Sequence, residues 1–147
     1  MRNAIAIARD ATRQNEVPIG AVITRAGKIV AAANNRTVRD QDATAHAEMI
    51  AIRDASAALD RWRLDDCTLY ITLEPCAMYA GAIVLSRMSR VIFGAWDEKA
   101  GMAGSVGDIL RHPQLNHSPE VQGGLLAEQC AEMLRQFFEF KRSPMDG

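Results

Sequence analysis

A nearly continuous apolar run at residues 67–73 (Cys-Thr-Leu-Tyr-Ile-Thr-Leu) constrains the fold of this chain more than any other segment. Runs of this kind, which lack a regular alternation of apolar and polar residues, are typical of central strands that a sheet buries on both faces. Pro75 follows almost at once, and proline is well tolerated in the first turn of a helix. We therefore predict a helix from Pro75 to about Ser86, and a buried strand that leads directly into a helix indicates an α/β fold.

The rest of the chain alternates in the same way between helical and extended patterns. Apolar residues at helical spacing predict helices at residues 2–14, 45–59 and 124–141. Thr44 is the predicted N-cap of the second of these helices. Segments rich in β-formers predict strands at residues 18–24, 29–33 and 90–94, the first two joined as a hairpin. Residues 34–43 and 95–107 are predicted to be loops. The alternation predicts a three-layer α/β sandwich with a mixed sheet, in a single domain spanning residues 1–147.

Charge and composition exclude several classes of protein. The formal net charge is -1, so the chain has no global basic signature of nucleic-acid binding, and any RNA contact must come from a local patch. The three cysteines are too few, and odd in number, for a disulfide framework, which favours a reducing compartment. Arg9 and Asp10 come too soon for a secretory signal, and no apolar run approaches the roughly 18 residues of a membrane helix. We expect a cytoplasmic protein without a membrane partner.

Two short motifs carry the candidate chemistry, His46-Ala47-Glu48 and Pro75-Cys76. A catalytic zinc ion takes three protein ligands and keeps a fourth position open for water. His46 offers an imidazole nitrogen at the start of its predicted helix, and the helix N-terminus at Cys76 favours a thiolate over a thiol. Glu48 need not be a ligand, because it can hold the metal-bound water, take its proton and return it to a leaving nitrogen. The two motifs together predict a zinc site that activates water.

Each motif has a simpler interpretation when it stands alone. A His-x-Glu pair arises often by chance, and a single cysteine in apolar surroundings is usually a core residue. The two motifs occur together here, and the second follows a buried strand, which favours the zinc site. For Cys67 and Cys130 the simpler interpretation is preferred, because Cys67 begins a predicted strand and Cys130 lies on an apolar helical stripe.

At these motifs the chain resembles the zinc-dependent nucleoside deaminases, whose signature is H-x-E followed by P-C-x-x-C, and within them the bacterial tRNA-specific adenosine deaminases. The resemblance covers nearly the whole chain, with matches at residues 16–22, 35–36, 44–48, 72–78, 80–83, 86–87, 91–95 and 137–138. Guanine and cytosine deaminases share the short motifs. The glycine-rich loop at 97–105, together with the pairs His112-Pro113 and Asn116-His117, favours the tRNA branch.

The resemblance implies a fold, a cofactor and a reaction. The fold is cytidine deaminase-like, a three-layer α/β/α sandwich with a central mixed five-stranded sheet. The cofactor is Zn²⁺, with His46 and Cys76 among its ligands. A water on the zinc attacks C6 of adenosine at the wobble position of a tRNA anticodon, Glu48 shuttles the proton, and ammonia leaves to give inosine. The family is homodimeric, with the active site near the subunit interface.

The resemblance also implies how the anticodon stem-loop is held. Three groups are expected to contact the flipped base, its ribose or the flanking nucleotides: the Asn35 side chain, the backbone amide of Ala47, and Asp97. The pairs Phe137-Phe138 and Lys141-Arg142 are expected near the anticodon loop, where aromatic stacking and phosphate contacts dominate. Because Phe137 lies on the apolar stripe, Phe138 and Phe140 are the better stacking candidates.

The chain departs from the family pattern at one functional position, where Tyr79 stands in place of the third zinc ligand. A tyrosine oxygen lies a whole ring farther from its Cβ than a cysteine sulfur does, and the reference pKa of a phenol is about 10. Three outcomes are open. Tyr79 blocks the pocket, a water replaces the missing sulfur in a weak site, or Tyr79 itself coordinates the metal after a local rearrangement. We expect a blocked or weak site in preference to tyrosinate ligation.

Two other functions are compatible with the same residues. The first is a catalytically inactive RNA-binding or partner subunit that keeps the deaminase fold and the dimer surface. The second is deamination of a free base such as guanine or cytosine. The glycine-rich loop and the C-terminal aromatic residues argue against the second, because so small a substrate does not need them.

Overall fold

The computed structural model describes residues 1–143, and helices alternate with strands along them. The elements are α1 (Arg2–Thr12), β1 (Gly20–Arg25), β2 (Lys28–Asn34), α2 (Thr37–Asp40), α3 (Ala47–Leu59), β3 (Cys67–Leu73), α4 (Ala77–Leu85), β4 (Arg90–Ala95), β5 (Glu120–Gln122) and α5 (Ala127–Arg142). Every predicted helix and strand is present within a few residues of its predicted ends. The predicted domain runs to residue 147, so its end lies outside the described residues.

The five strands form one mixed sheet in the order β2-β1-β3-β4-β5. β1 pairs antiparallel with β2 and with β3, whereas β4 runs parallel to β3 and to β5. β3 is therefore the central strand, and its Leu69 and Ile71 are completely buried. The prediction that residues 67–73 form a buried central strand is confirmed.

Helices cover both faces of the sheet. α1 and α5 pack on the sheet and on each other, while α3 packs on β1 and β2 and contacts α4. The main core contains Ile23, Leu69, Ile71, Ile83 and Phe93, and a smaller cluster joins α1, α5 and the end of β4. The three-layer α/β/α prediction is confirmed, and Cys67 and Cys130 are buried core residues as expected. Within residues 1–143 no helix has the length and apolar character that a membrane crossing requires.

The two helices that follow the metal motifs begin later than predicted. α3 begins at Ala47 with His46 as its N-cap, so the prediction that Thr44 caps this helix is wrong. The hydroxyl of Thr44 instead donates a 2.7 Å hydrogen bond to Asp42 Oδ1, which closes a local turn before the helix. α4 begins at Ala77 with Cys76 as its N-cap, so Pro75 precedes the helix instead of lying in its first turn.

Two short elements have no counterpart in the sequence prediction. The segment at 34–43, predicted as a loop, contains the single helical turn α2. β5 has only three residues and lies at the edge of the sheet. Both are too short to show an apolar period. β5 also depends on pairing with β4, which lies about 30 residues earlier in the chain.

Candidate functional site

The starts of α3 and α4 bring the two predicted metal donors together. His46 and Cys76 are the N-cap residues of these helices, and both have an extended backbone. The Nδ1 atom of His46 lies 4.0 Å from the Sγ atom of Cys76. Zinc bonds to nitrogen and sulfur measure about 2.0–2.3 Å, so this separation suits two ligands of one ion. Ala47, the first residue of α3, follows His46 and is completely buried. Its backbone N–H belongs to the first turn of the helix, where N–H groups have no intrahelical partners.

Burial determines the protonation of both donors. It lowers the pKa of His46, which favours the neutral imidazole that a metal requires. It also raises the pKa of the Cys76 thiol, and the backbone N–H groups of Tyr79 and Met78 offset this only in part. The N–H groups at the helix N-terminus thus lower the pKa of Cys76, as predicted, but in the metal-free protein desolvation outweighs them.

Glu48 carries a buried carboxyl group with no partner. Its side chain is completely buried, and within residues 1–143 neither of its oxygens finds a hydrogen-bond donor. Burial raises the pKa of Glu48 to about 8, with a small opposing effect from its own backbone N–H. An unsatisfied buried polar group normally costs stability, so its presence indicates a site completed by a ligand.

Tyr79 does not present its oxygen as a third metal ligand. The residue is almost completely buried, and its hydroxyl donates a 3.1 Å hydrogen bond to the backbone carbonyl of Glu74. The ring stands edge-on to His46, with 5.7 Å between ring centroids. Burial raises the pKa of Tyr79 well above its usual value, and the nearby Glu48 and Cys76 raise it further. The phenol therefore stays neutral.

The donor set does not fit a tightly held catalytic zinc ion. His46 and Cys76 supply two ligands, whereas such an ion takes three protein ligands. Across the part of the chain that the structure describes, no group of three or more His, Cys, Asp or Glu side chains is close enough to hold a metal. The third donor was predicted at position 79, where Tyr79 supplies none.

Asn35 lies on a loop that a second buried carboxylate organises. Its Oδ1 accepts a 2.9 Å hydrogen bond from Thr37, and its Nδ2 donates a long one of 3.4 Å to Glu16. Glu16 is completely buried and also accepts hydrogen bonds from the backbone N–H groups of Val38 (3.2 Å) and Arg39 (2.6 Å). The Asn35 amide is thereby oriented and keeps one N–H for a further partner. Sequence reasoning missed this role of Glu16, which matches the family pattern but belongs to no chemical motif.

Asp97 and Phe138 both line a groove of about 700 Å³. The same groove is lined by Trp96, Lys141 and Arg142. Phe138 is 45% exposed and Trp96 51% exposed, so both rings are available to a partner. Sequence reasoning did not single out Trp96, because one aromatic residue in a polar loop gives no periodic signal.

The other two C-terminal phenylalanines do not line this groove. Phe137 and Phe140 line a separate cavity between α1 and α5, beside Arg9 and Arg13. Phe137 is half-buried there, in agreement with its place on the apolar stripe, whereas Phe140 is 78% exposed. Of the two predicted stacking candidates, Phe138 is therefore the one next to Asp97.

Comparisons with known proteins show which family the chain resembles. A sequence model of the MafB19-like deaminase family matches residues 1–142. The chain is 49% identical over 138 residues to a tRNA-specific adenosine deaminase of Bacillus subtilis, covering 94% of this chain and 86% of that one. It is 45% identical over 142 residues to a tRNA-specific adenosine deaminase of Agrobacterium fabrum, covering 97% and 93%.

A solved structure is similar over most of the chain as well. It comes from a study of A-to-I editing by tRNA:A34 deaminases at the wobble position of transfer RNA. The TM-score is 0.88 at 43% sequence identity, and the alignment covers 91% of this chain and 97% of that one. At this identity the likeness extends beyond the fold.

Proposed function

The chain belongs to the MafB19-like deaminase family and, within it, to the tRNA-specific adenosine deaminases, and from this premise we propose that its substrate is the wobble adenosine of a tRNA anticodon. The reaction is hydrolytic: a water oxygen replaces the amino nitrogen at C6, so that adenosine and water give inosine and ammonia. We also propose that the chain acts in the cytoplasm as a homodimer, as the family resemblance implies.

The observation that carries this proposal is the completely buried carboxyl of Glu48 near His46 and Cys76, for which residues 1–143 supply no hydrogen-bond donor. Hydrolytic deamination needs one group that removes a proton from water and delivers it to the departing nitrogen. A catalytic acid–base group works best when its pKa lies near the operating pH, and the pKa of Glu48 is about 8. Glu48 is therefore suited to exchange this proton in both directions.

The groove at Asp97 and Phe138 supports an RNA substrate over a free base. The groove beside Asp97 has two exposed aromatic rings, Trp96 and Phe138, and two cationic side chains, Lys141 and Arg142. Aromatic rings stack on unpaired bases, and cations attract phosphates. A free base would leave most of this groove unused.

We propose further that this chain retains zinc far less tightly than a relative with a complete ligand set. Family members are zinc-dependent, and a bound zinc ion would supply the acidified water of the reaction. In this chain His46 and Cys76 would be two of the ligands, and the neutral, hydrogen-bonded phenol of Tyr79 would not be the third. Deamination by the unmodified chain is then slow.

A second candidate function follows from the same tyrosine. Because Tyr79 fills the third-ligand position, the chain is also suited to bind the anticodon loop without converting adenosine. One experiment separates the two functions: purified protein is incubated with a wobble-adenosine stem-loop and added zinc, and inosine and bound zinc are measured. Slow inosine formation supports the enzyme, binding with no inosine supports the inactive RNA-binding subunit, and neither binding nor inosine overturns both.

A further inference from the structure

The carboxylate of Glu74 lies inside the loop at residues 96–107 and is completely buried. Its Oε1 accepts hydrogen bonds from the backbone N–H of Asp97 (3.0 Å) and from the hydroxyl of Ser105. Its Oε2 accepts from the backbone N–H groups of Ala103 (3.0 Å) and Ser105 (3.1 Å). One side chain from the end of the central strand thus holds both ends of a loop that follows β4.

The loop winds closely round this carboxylate. A Cβ atom at Gly101 would lie 2.3 Å from the carboxyl carbon of Glu74, so only glycine fits there. The N–H of Gly101 donates to the carbonyl of Asp97 at 2.8 Å, and the N–H of Val106 donates to the carbonyl of Gly101, also at 2.8 Å. The backbone conformation of the loop therefore depends on the position of the carboxylate.

The same loop supplies one wall of the groove that Asp97 and Phe138 line. Trp96 packs edge-on against Phe93, with 4.8 Å between ring centroids, and turns the rest of its ring to the groove. Asp97 follows it, and its Oδ1 accepts hydrogen bonds from the backbone N–H groups of Lys99 and Ala100. The backbone N–H of Asp97 is itself bonded to Glu74, so the carboxylate of Glu74 fixes the position of this wall of the groove.

We propose that Glu74 is a positioning residue for the RNA substrate, which holds the loop at 96–107 in the shape that presents Trp96 and Asp97 to the anticodon loop. The proposal rests on the proposed function for the identity of the RNA. It does not depend on catalysis, because Glu74 acts through the loop and not on the reacting atoms.

Glutamine in place of Glu74 keeps the size of the side chain but not its bonding. Each carboxylate oxygen accepts two hydrogen bonds from the loop. A glutamine must turn its NH2 group, which only donates, towards two of these donors. The loop then has to rearrange, while strands and helices outside it keep their contacts.

The test compares three variants in a Trp62→Phe background, in which Trp96 is the remaining tryptophan. The variants are Glu74→Gln, Ser105→Ala, which removes one donor to the same carboxylate, and Glu120→Gln. Glu120 is an exposed residue on β5 outside the groove, so the last variant is the matched control. Each is measured for its thermal midpoint, for acrylamide quenching of Trp96 fluorescence, and for affinity towards a wobble-adenosine stem-loop.

We expect Glu74→Gln to remain folded, to increase the quenching of the already half-exposed Trp96, and to weaken stem-loop binding by about tenfold, which corresponds to about 1.4 kcal/mol of binding free energy. Ser105→Ala should give a smaller change in the same direction, and Glu120→Gln none. A folded Glu74→Gln protein with unchanged affinity overturns the proposal. If Glu74→Gln does not fold, unchanged affinity in Ser105→Ala overturns it instead.

The fluorescence measurement separates this proposal from the proposed function. A parent protein that binds no stem-loop overturns the RNA function, and quenching of Trp96 still decides whether Glu74 fixes the loop. A role in stability alone would lower the thermal midpoint and leave the affinity of the folded protein unchanged.

Discussion

The hydroxyl of Tyr79 donates its hydrogen bond to the backbone carbonyl of Glu74, at 3.1 Å. Because the phenol donates its proton in this bond, the bond stabilises the neutral form of Tyr79. Tyr79 lies in the first turn of α4, whose N-cap is Cys76. The bond directs its oxygen to the β3–α4 connection. The side chain at the predicted third-ligand position is thus a neutral group with an established partner.

Tyr79→Cys should raise zinc binding towards one ion per chain and increase inosine formation. A cysteine at this position places a second sulfur on the face of α4 that carries Cys76, since residues three apart on a helix are neighbours. Metal analysis after dialysis and a stem-loop deamination assay measure the two effects. Tyr79→Phe is the matched control: it removes the hydroxyl but adds no donor, and it should bind no more zinc than the parent. If Tyr79→Cys gains neither zinc nor activity, position 79 is not the third-ligand position.

Glu48→Gln should lower the rate of deamination in the Tyr79→Cys protein by about 10²–10⁴-fold, the usual contribution of a general acid–base group. Glutamine fills the same space but cannot exchange a proton. Single-turnover inosine formation measures the loss, and zinc content is measured in parallel. A rate within threefold of the parent, at equal zinc content, would rule out Glu48 as the proton shuttle.

The stability of the metal-free protein should fall as the pH rises from about 4.5 to about 8. The pKa of Glu48 is about 8 in the folded chain, against a usual value of 4.5. Between these values the folded state holds a proton that the unfolded state has lost, so unfolding becomes easier by up to about 1.4 kcal/mol per pH unit. Urea unfolding at several pH values measures the slope. Glu48→Gln should remove this contribution, and an unchanged slope in that variant would contradict the assignment to Glu48.

Phe138→Ala should weaken stem-loop binding by about tenfold or more, since stacking of one base on an aromatic ring contributes about 1–3 kcal/mol. Phe138 lines the groove beside Asp97, whereas Phe140 lies in the cavity between α1 and α5. Phe140→Ala is therefore the control for loss of an exposed C-terminal ring. Equal losses in both variants would show that the groove does not distinguish the two rings.

Asn35→Ala should weaken binding of the wobble-adenosine stem-loop by about tenfold, the value of one to two hydrogen bonds. A stem-loop that lacks the base at the wobble position should bind the variant and the parent equally. Fluorescence anisotropy with both RNAs measures the difference. Asn3→Ala, at an exposed position of α1, serves as the control. Equal weakening for both RNAs would mean that Asn35 acts through its bonds to Thr37 and Glu16 and not on the base.

The elements that sequence analysis predicted are those with a period or a long apolar run. β3 was predicted with its observed ends because residues 67–73 are bounded by polar residues on one side and by Glu74-Pro75 on the other. The predicted N-cap of α3 is wrong because the hydroxyl of Thr44, which could cap a helix, is hydrogen-bonded to Asp42 instead. The N-cap preference of threonine favoured Thr44, but its bond to Asp42 leaves His46 as the N-cap.

The candidate site was predictable as a set of residue types but not as a bonding pattern. His46, Glu48 and Cys76 belong to a spaced motif, so their meeting could be anticipated. The roles of Glu16 and Glu74 could not be anticipated, because each accepts hydrogen bonds from backbone N–H groups about 20 to 30 residues away. Every residue except proline has such an N–H group, so these partners give no sequence signal. The bond that occupies the Tyr79 hydroxyl is likewise made to a backbone group.

Because Glu74 holds its loop chiefly through backbone N–H groups, the loop can change its surface chemistry without changing its shape. Every amino acid except proline carries the donor that the carboxylate uses at Asp97 and Ala103. Exposed positions such as Glu98 and Lys99 are therefore free to diverge, whereas Gly101 is not. An arrangement of this kind lets selection, or an engineer, retune which nucleotides are preferred while the scaffold that presents the new side chains is inherited intact.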